Sequence, residues 1–319
     1  MKSLEVTFGE NRSAWDAFVA TSPQRSIFVF TRFLNSLITG YELVTCREGG
    51  VIVAGAVILH SGDGSPLRKP QQFTQYQGLL LADNTGMKRH SAITHELAVV
   101  EYFLARLTER FPQCCLCQSW RFHDLRSFQW HNYHAPEKGI FKLDLRYTGI
   151  VDLKSHGSFD DYLSAVRTVR RQEFGKASHA LGLQEGGDIE AFIGLYRKTF
   201  ERQDIQVSAR ELDLVRSIVV RAVEGGYGKL WFATLAGVSV AAAVFAYDDR
   251  TGYYLFGAAD PEHRKTFAGA FVLLRLIKDA FEQGLAEVDL VGVNSPNRGD
   301  FKTSFNAEIR PHFNCAFGA

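Results

Sequence analysis

The stretch KLWFATLAGVSVAAAVFAYDDRTGYYLFGAA (229–259), continued by FAGAFVLLRLIKDAFEQG (267–284) and VDLV (288–291), decides the fold. Residues 229–235 and 238–247 are runs of aromatic, β-branched and small apolar residues. Only Ala236-Gly237 separates them, which predicts a tight antiparallel hairpin. Asp249-Arg250-Thr251-Gly252 is a second turn signal, leading into a third strand over 253–258. From 267 the period changes: Phe267, Ala270, Phe271, Leu274, Ile277 and Phe281 recur at helical spacing, and Gly284 ends the helix. Residues 288–291 read as a short buried strand. Two hairpins make the first three strands antiparallel. The strand–helix–strand step calls for a right-handed crossover to a parallel neighbour. The class is therefore α/β with a mixed sheet.

On the N-terminal side of this stretch, Val151-Asp152-Leu153 ends a strand. Ser158 is placed to cap a helix, with Asp161 three residues on. Phe159, Tyr162, Leu163, Val166 and Val169 form one apolar stripe, so a single helix is expected there. A second helix carries Ile189, Phe192, Ile193, Tyr196 and Phe200. A third carries Leu212, Val215, Val219 and Ala222 and stops at Gly225-Gly226. On the C-terminal side come a short segment over 298–305 and a last strand over 310–317. The first half shows a looser version of the same order: a short strand over 4–8, helices over 13–20 and 31–39, a hairpin of 41–46 and 51–60 around Glu48-Gly49-Gly50, a strand over 73–81, a helix over 88–111 and a strand over 114–117. Two related mixed-sheet domains are expected, 1–150 and 151–319, with helices on both faces and a cleft between them.

The chain has 319 residues, 46% hydrophobic and 22% charged, with 36 basic against 35 acidic residues. This is the balance of a folded globular protein, without a global basic field to attract nucleic acid. DNA binding is not expected, and tRNA would need a local patch. MKSLEVTFGENR (1–12) lacks the apolar core of a signal peptide. The apolar run 51–59 is far short of the roughly 20 residues of a spanning helix. A cytoplasmic protein is expected, with peripheral membrane association left open. Cys46, Cys114, Cys115, Cys117 and Cys315 read as reduced, buried apolar residues.

GxSxG, HExxH, GxxxxGK[ST] and GxGxxG are all missing from the sequence. His131 and His134 fall short of the three or four ligands a metal site needs, so no metal is expected. Arg167, Arg170, Arg171 and Lys176 form a cationic cluster. On one continuous helix, Arg170 would fall in line with Phe159, Leu163 and Val166. An arginine on an apolar face either pairs with a carboxylate or faces an anion, and both readings stay open. The other candidate is Asp289-Leu-Val-Gly-Val-Asn-Ser-Pro-Asn-Arg-Gly-Asp-Phe-Lys-Thr-Ser-Phe305, where a buried strand leads through a turn-rich loop to Lys302, flanked by Phe301 and Phe305.

These motifs resemble the Fem-type peptidyltransferases and related GNAT-like acyltransferases. The likeness rests on 163–182 with its Arg-Arg pair, on Gly257-Ala258-Ala259-Asp260 leading into the 267–284 helix, and on VDLVG (288–292) followed by Phe301-Lys302-x-x-Phe305. It implies two tandem GNAT-like domains, the first on the acceptor side and the second on the donor and catalytic side. The resemblance maps the family's activating lysine onto Lys302. Donor-side contacts are expected from Arg167, Arg170, Arg171, Tyr254, Gly269 and Phe301. It further implies transfer of an acyl or aminoacyl group to an amine of a sugar nucleotide, peptide or envelope or polysaccharide precursor. Acyl-CoA or aminoacyl-tRNA would serve as co-substrate, with no permanently bound cofactor. The alternative is a non-catalytic module that holds an anionic ligand. Two departures stand out. The interval 171–229 has no room for a coiled-coil arm, and the segment 264–270 keeps only Gly269 of a glycine-rich pyrophosphate loop. The general base is unassigned between Asp300 and a phosphate of the acceptor.

Overall fold

A computed structural model describes residues 3–202 and 204–318. In chain order the elements are β1 (Leu4–Phe8), α1 (Arg12–Thr21), α2 (Thr31–Leu34), β2 (Tyr41–Glu48), β3 (Val51–Leu59), β4 (Leu80–Leu81), α3 (Arg89–Arg110), β5 (Cys114–Cys117), α4 (Arg126–Trp130) and β6 (Phe141–Asp152). They continue with α5 (Phe159–Ala165), α6 (Thr168–Ala180), β7 (Gly182–Glu185), α7 (Ile189–Glu201), α8 (Ala209–Glu224), β8 (Gly228–Leu235), β9 (Val238–Tyr247), β10 (Thr251–Ala259), α9 (Ala268–Glu282), β11 (Glu287–Asp289), α10 (Pro296–Thr303) and β12 (Glu308–Phe317). The chain divides into two compact units, Met1–Arg146 with Pro311–Ala319, and Tyr147–Arg310. The last strand thus returns its C-terminal part to the first unit.

In the first unit β1, β2, β3 and β4 form an antiparallel sheet in that order, and β5 pairs antiparallel with β12. The β2–β3 turn uses Gly49 and Gly50 at φ 57° and 87°, values that side chains rarely adopt. Phe103, Leu104 and Leu107 of α3 are fully buried in one cluster with Val44, Ile58, Leu116 and Cys315. All five cysteines are free and buried, as their apolar setting suggested. The strand expected over 73–81 shrinks to Leu80–Leu81. Phe73 and Tyr76 take left-handed φ values of 59° and 56°, which no extended strand permits. The apolar residues there mark a buried loop. The helix expected over 31–39 likewise stops at Leu34.

In the second unit β11, β10, β9, β8 and β7 lie side by side, and β6 adds to the outer side of β11. The β8–β9–β10 pairings are antiparallel and β10–β11 is parallel, as the crossover rule requires. α9 supplies the core: Leu273, Leu274 and Ile277 are fully buried, and Phe271 nearly so. Each such side chain contributes roughly 1.5–3 kcal/mol by leaving water. Ser158 Oγ accepts from the Asp161 N–H at 3.0 Å and caps α5. The single helix expected from Phe159 to Val169 is broken. Val166 is extended at ψ 143° and α6 starts afresh at Thr168. The Arg167 N–H donates to Ser304 O at 3.2 Å, so a contact 137 positions away sets the break. Val169, expected on the apolar stripe, is exposed.

Candidate active site

The second unit opens its own sheet. β10 pairs with β11 only over Thr251–Tyr253, against Glu287–Asp289. β10 then continues to Ala259 along β9, with a bulge between Tyr254 and Phe256. β11 ends at Asp289, and the chain turns away through Val291 and Gly292 at φ 48° and 74°. Among the described residues, the β10 edge from Tyr254 onward therefore has no strand partner on the β11 side. Unpaired backbone donors and acceptors at such an opening can take an extended ligand arm.

Lys302 of α10 stands at this opening. Its Nζ donates to Val291 O at 2.5 Å and Gly292 O at 3.1 Å, and lies 5.6 Å from the centroid of the Tyr254 ring. Asp289 holds the other side of the same turn. Its Oδ1 accepts from the Val291 N–H at 2.8 Å and from Thr148 Oγ1 at 2.5 Å. A β-branched residue at positive φ is costly, on the order of 1–3 kcal/mol, and persists only where its surroundings fix it. Here Asp289 and Lys302 clamp its N–H and its carbonyl. Tyr254 is half-buried, and burial pushes its phenol well above the usual range, so it stays a neutral proton donor. The Tyr254 hydroxyl lies directly over Gly257, where an added Cβ would sit 1.7 Å from it.

Arg170 has intramolecular partners. Nε donates to Ser304 Oγ at 2.9 Å, Nη1 pairs with Glu173, and the guanidinium lies 4.9 Å from the Phe301 ring centroid and 5.9 Å from that of Phe305. It does so from a helix separate from that of Phe159 and Leu163, because the break at Val166 re-aims α6. Arg170 thereby fastens α6 to α10 on either side of Lys302. Arg167 and Asp300 form an exposed pair at 3.5 Å, and Arg171 donates to Thr168 Oγ1 at 3.0 Å on the solvent side. Phe301 is half-buried against the core and meets Phe305 edge-on.

Gly269 lies in the first turn of α9. β10 leads into that turn through Asp260 and a 3₁₀ turn, Pro261–Thr266. The residue at the helix start, Phe267, is left-handed at φ 59°, and no side chain caps the helix. Arg264 and Lys265 beside it are exposed, and the space over Gly269 is open. Uncapped N–H groups with adjacent cations suit an anionic phosphate. Among the described residues no cluster of three or more His, Cys, Asp or Glu could hold a metal. His131 lies just past the end of α4 and bonds Thr108 Oγ1 at 3.2 Å. No described helix is long and apolar enough to cross a membrane.

Residues 163–303 match the family model of the acetyltransferase (GNAT) domain. This stretch is therefore a GNAT-type acyltransferase domain, and the chain that carries it has a Fem-like fold. Among solved structures it is similar to FemX, with a TM-score of 0.68 at 12% identity, covering 97% of this chain and 96% of that one. The C-terminal domain of a putative lysylphosphatidylglycerol synthetase from Agrobacterium fabrum gives 0.55 at 12% identity, covering 97% and 91%. A tandem GNAT protein from the clavulanic acid biosynthesis pathway gives 0.51 at 14% identity, covering 99% and 98%. At these identities the likeness is one of fold, and it fits two tandem GNAT-like domains in this acyltransferase. Comparison with curated proteins finds no sequence match.

Thr148 and Glu173 were missed in the sequence, and Asp289, Val291, Gly257 and Ser304 stood in the quoted motifs without a role. Asp289 carried a signal: a carboxylate inside an apolar strand is seldom buried without a purpose. The others act through contacts that local sequence does not encode.

Proposed function

We propose that this acyltransferase moves an acyl or aminoacyl group from a phosphate-bearing carrier to an amine. The acyl arm of the carrier lies along the free edge of β10, and its phosphates lie at the start of α9. One observation carries the reading: the strand edge freed at Tyr254 runs directly toward an uncapped helix N-terminus flanked by Arg264 and Lys265. A diphosphate-bearing thioester such as acyl-CoA suits that pair of features better than aminoacyl-tRNA. Acceptors of the matching chemistry are amines of sugar nucleotides, peptides or envelope precursors.

In this reading the neutral amine forms the new C–N bond and negative charge builds on the carbonyl oxygen. The Lys302 ammonium, fixed by two carbonyls, stabilises that charge. The C–S or C–O bond to the carrier then breaks, and the Tyr254 hydroxyl is placed to protonate the leaving atom. Asp300 is engaged with Arg167 at the surface, which leaves a phosphate of the acceptor as the better base. Thermal melts with acyl-CoAs, charged tRNAs and sugar nucleotides test the donor. A ligand at a hundred times its Kd adds about 2.7 kcal/mol to stability. A shift with acyl-CoA is the expected result. A salt-sensitive response to charged tRNA alone would reassign the donor. No response to any carrier, together with no acyl transfer to amines, would overturn the reading.

A further inference from the structure

An aromatic loop on the first unit plays no part in this chemistry. α4 ends at Trp130, and the chain folds back through Asn132, which is left-handed at φ 55°. Asn132 Nδ2 donates to Gly139 O at 2.8 Å and closes the loop. Its base is anchored in the core, where His131 packs edge-on to Phe141 and Phe317 at 5.3 and 5.5 Å between ring centroids. Its outer surface is apolar. Trp130 is 57% exposed, Tyr133 58% and Ile140 46%. The Trp130 and Tyr133 rings lie 4.3 Å apart, and His134 meets Tyr133 edge-on at 5.2 Å. Lys138 and Lys142 flank this surface, both exposed and neither paired with a carboxylate among the described residues; of the nearby exposed acids, Glu137 is adjacent to Lys138 and Asp144 faces Arg146.

We propose that this loop seats the first unit on the interface of an anionic lipid bilayer. Trp and Tyr favour the headgroup region, because each joins an apolar ring to one polar atom. Ile140 adds an aliphatic group that gains only from an apolar medium. Lys138 and Lys142 complement anionic headgroups and can keep their charged ends in water. Clustered aromatic rings also suit sugars, but sugar recognition uses free planar amides or carboxylates at the rim. The Asn132 amide already serves Gly139, and an isoleucine offers a sugar nothing. The bilayer is therefore the favoured occupant, and the proposal is independent of the acyl donor.

The test is co-sedimentation of the whole chain with phosphatidylcholine vesicles, with and without phosphatidylglycerol. Binding to the anionic vesicles is expected, with a blue shift of Trp130 fluorescence that is lost in Trp130→Phe. Trp130→Ala, Tyr133→Ala and Ile140→Ser together should weaken partition by roughly tenfold or more with the melting temperature kept. Lys138→Gln and Lys142→Gln should each weaken it about fivefold and reduce its salt sensitivity. Three results would overturn the proposal: no binding of the wild type to either vesicle, full binding by the triple variant, or a Trp130 response to soluble oligosaccharides but not to vesicles.

Discussion

Lys302 and Arg170 are both cations beside aromatic rings, yet their partners separate their roles. Lys302 points its ammonium at two carbonyls, dipoles that hold a charge without neutralising it. Lys302→Met keeps most of the length and removes the charge. It should lower kcat by about 100-fold or more, the usual scale for one transition-state donor. Steady-state kinetics beside circular dichroism checks this, and a fully active variant would reduce Lys302 to a loop clamp. Arg170 pairs with Glu173 and Ser304, both within the fold. Arg170→Ala leaves the Glu173 carboxylate unpaired, so stability should fall by about 1–3 kcal/mol while affinity for a phosphate-bearing donor stays the same. Denaturant midpoints and donor titrations separate the two effects. Weakened donor binding at unchanged stability would return Arg170 to the anion-binding role its position among arginines suggested.

At the scale of elements, β10 both pairs and opens. Its first three residues meet β11 and the rest do not, and Gly257 leaves room for the Tyr254 ring at the point of opening. Gly257→Ala would force Tyr254 out of that place while leaving the strand otherwise compatible with an alanine. A misplaced reacting group costs on the order of tenfold to a hundredfold. The variant should show lowered kcat with a near-native melting curve, and native kcat would detach Tyr254 from the reaction. The three-strand and helix order around β10 was legible because each element obeys its own period and each turn carries Gly or Asp. The α5–α6 break was not legible. Val166 and Arg167 carry no Gly or Pro, and the break answers to Ser304 O. The 73–81 segment was misread for a related reason. Its aromatic residues signal burial as strongly as pairing, and only φ tells them apart.

For the molecule as a whole, the second unit declared itself in sequence, whereas the first did so only by layout. The acyltransferase motifs all lie in the second unit. The first unit hides its polar chemistry in tertiary contacts, and His312 is the clearest case. It lies on β12, 3% exposed, with its ring edge-on to Tyr76 at 5.3 Å. Burial pushes its pKa down to about 4, Arg146 adds to that, and Asp144 opposes it. In the unfolded chain a histidine titrates near 6.5. Between these values the unfolded state binds a proton that the folded state does not. Stability is therefore fully present above about pH 6.5 and is lost as pH falls toward 4, by up to about 3 kcal/mol. Glu10 and Asp260 have lowered carboxyl pKa values, so their contributions are lost only at still lower pH. Urea midpoints of the wild type at pH 7.5, 6 and 5 should fall in that order. His312→Phe keeps an aromatic ring against Tyr76 and removes the proton site, so its midpoints should fall less across the same range, the remaining decline belonging to His131, whose pKa burial also lowers. An equal decline in the variant would place the acid sensitivity in some group other than His312.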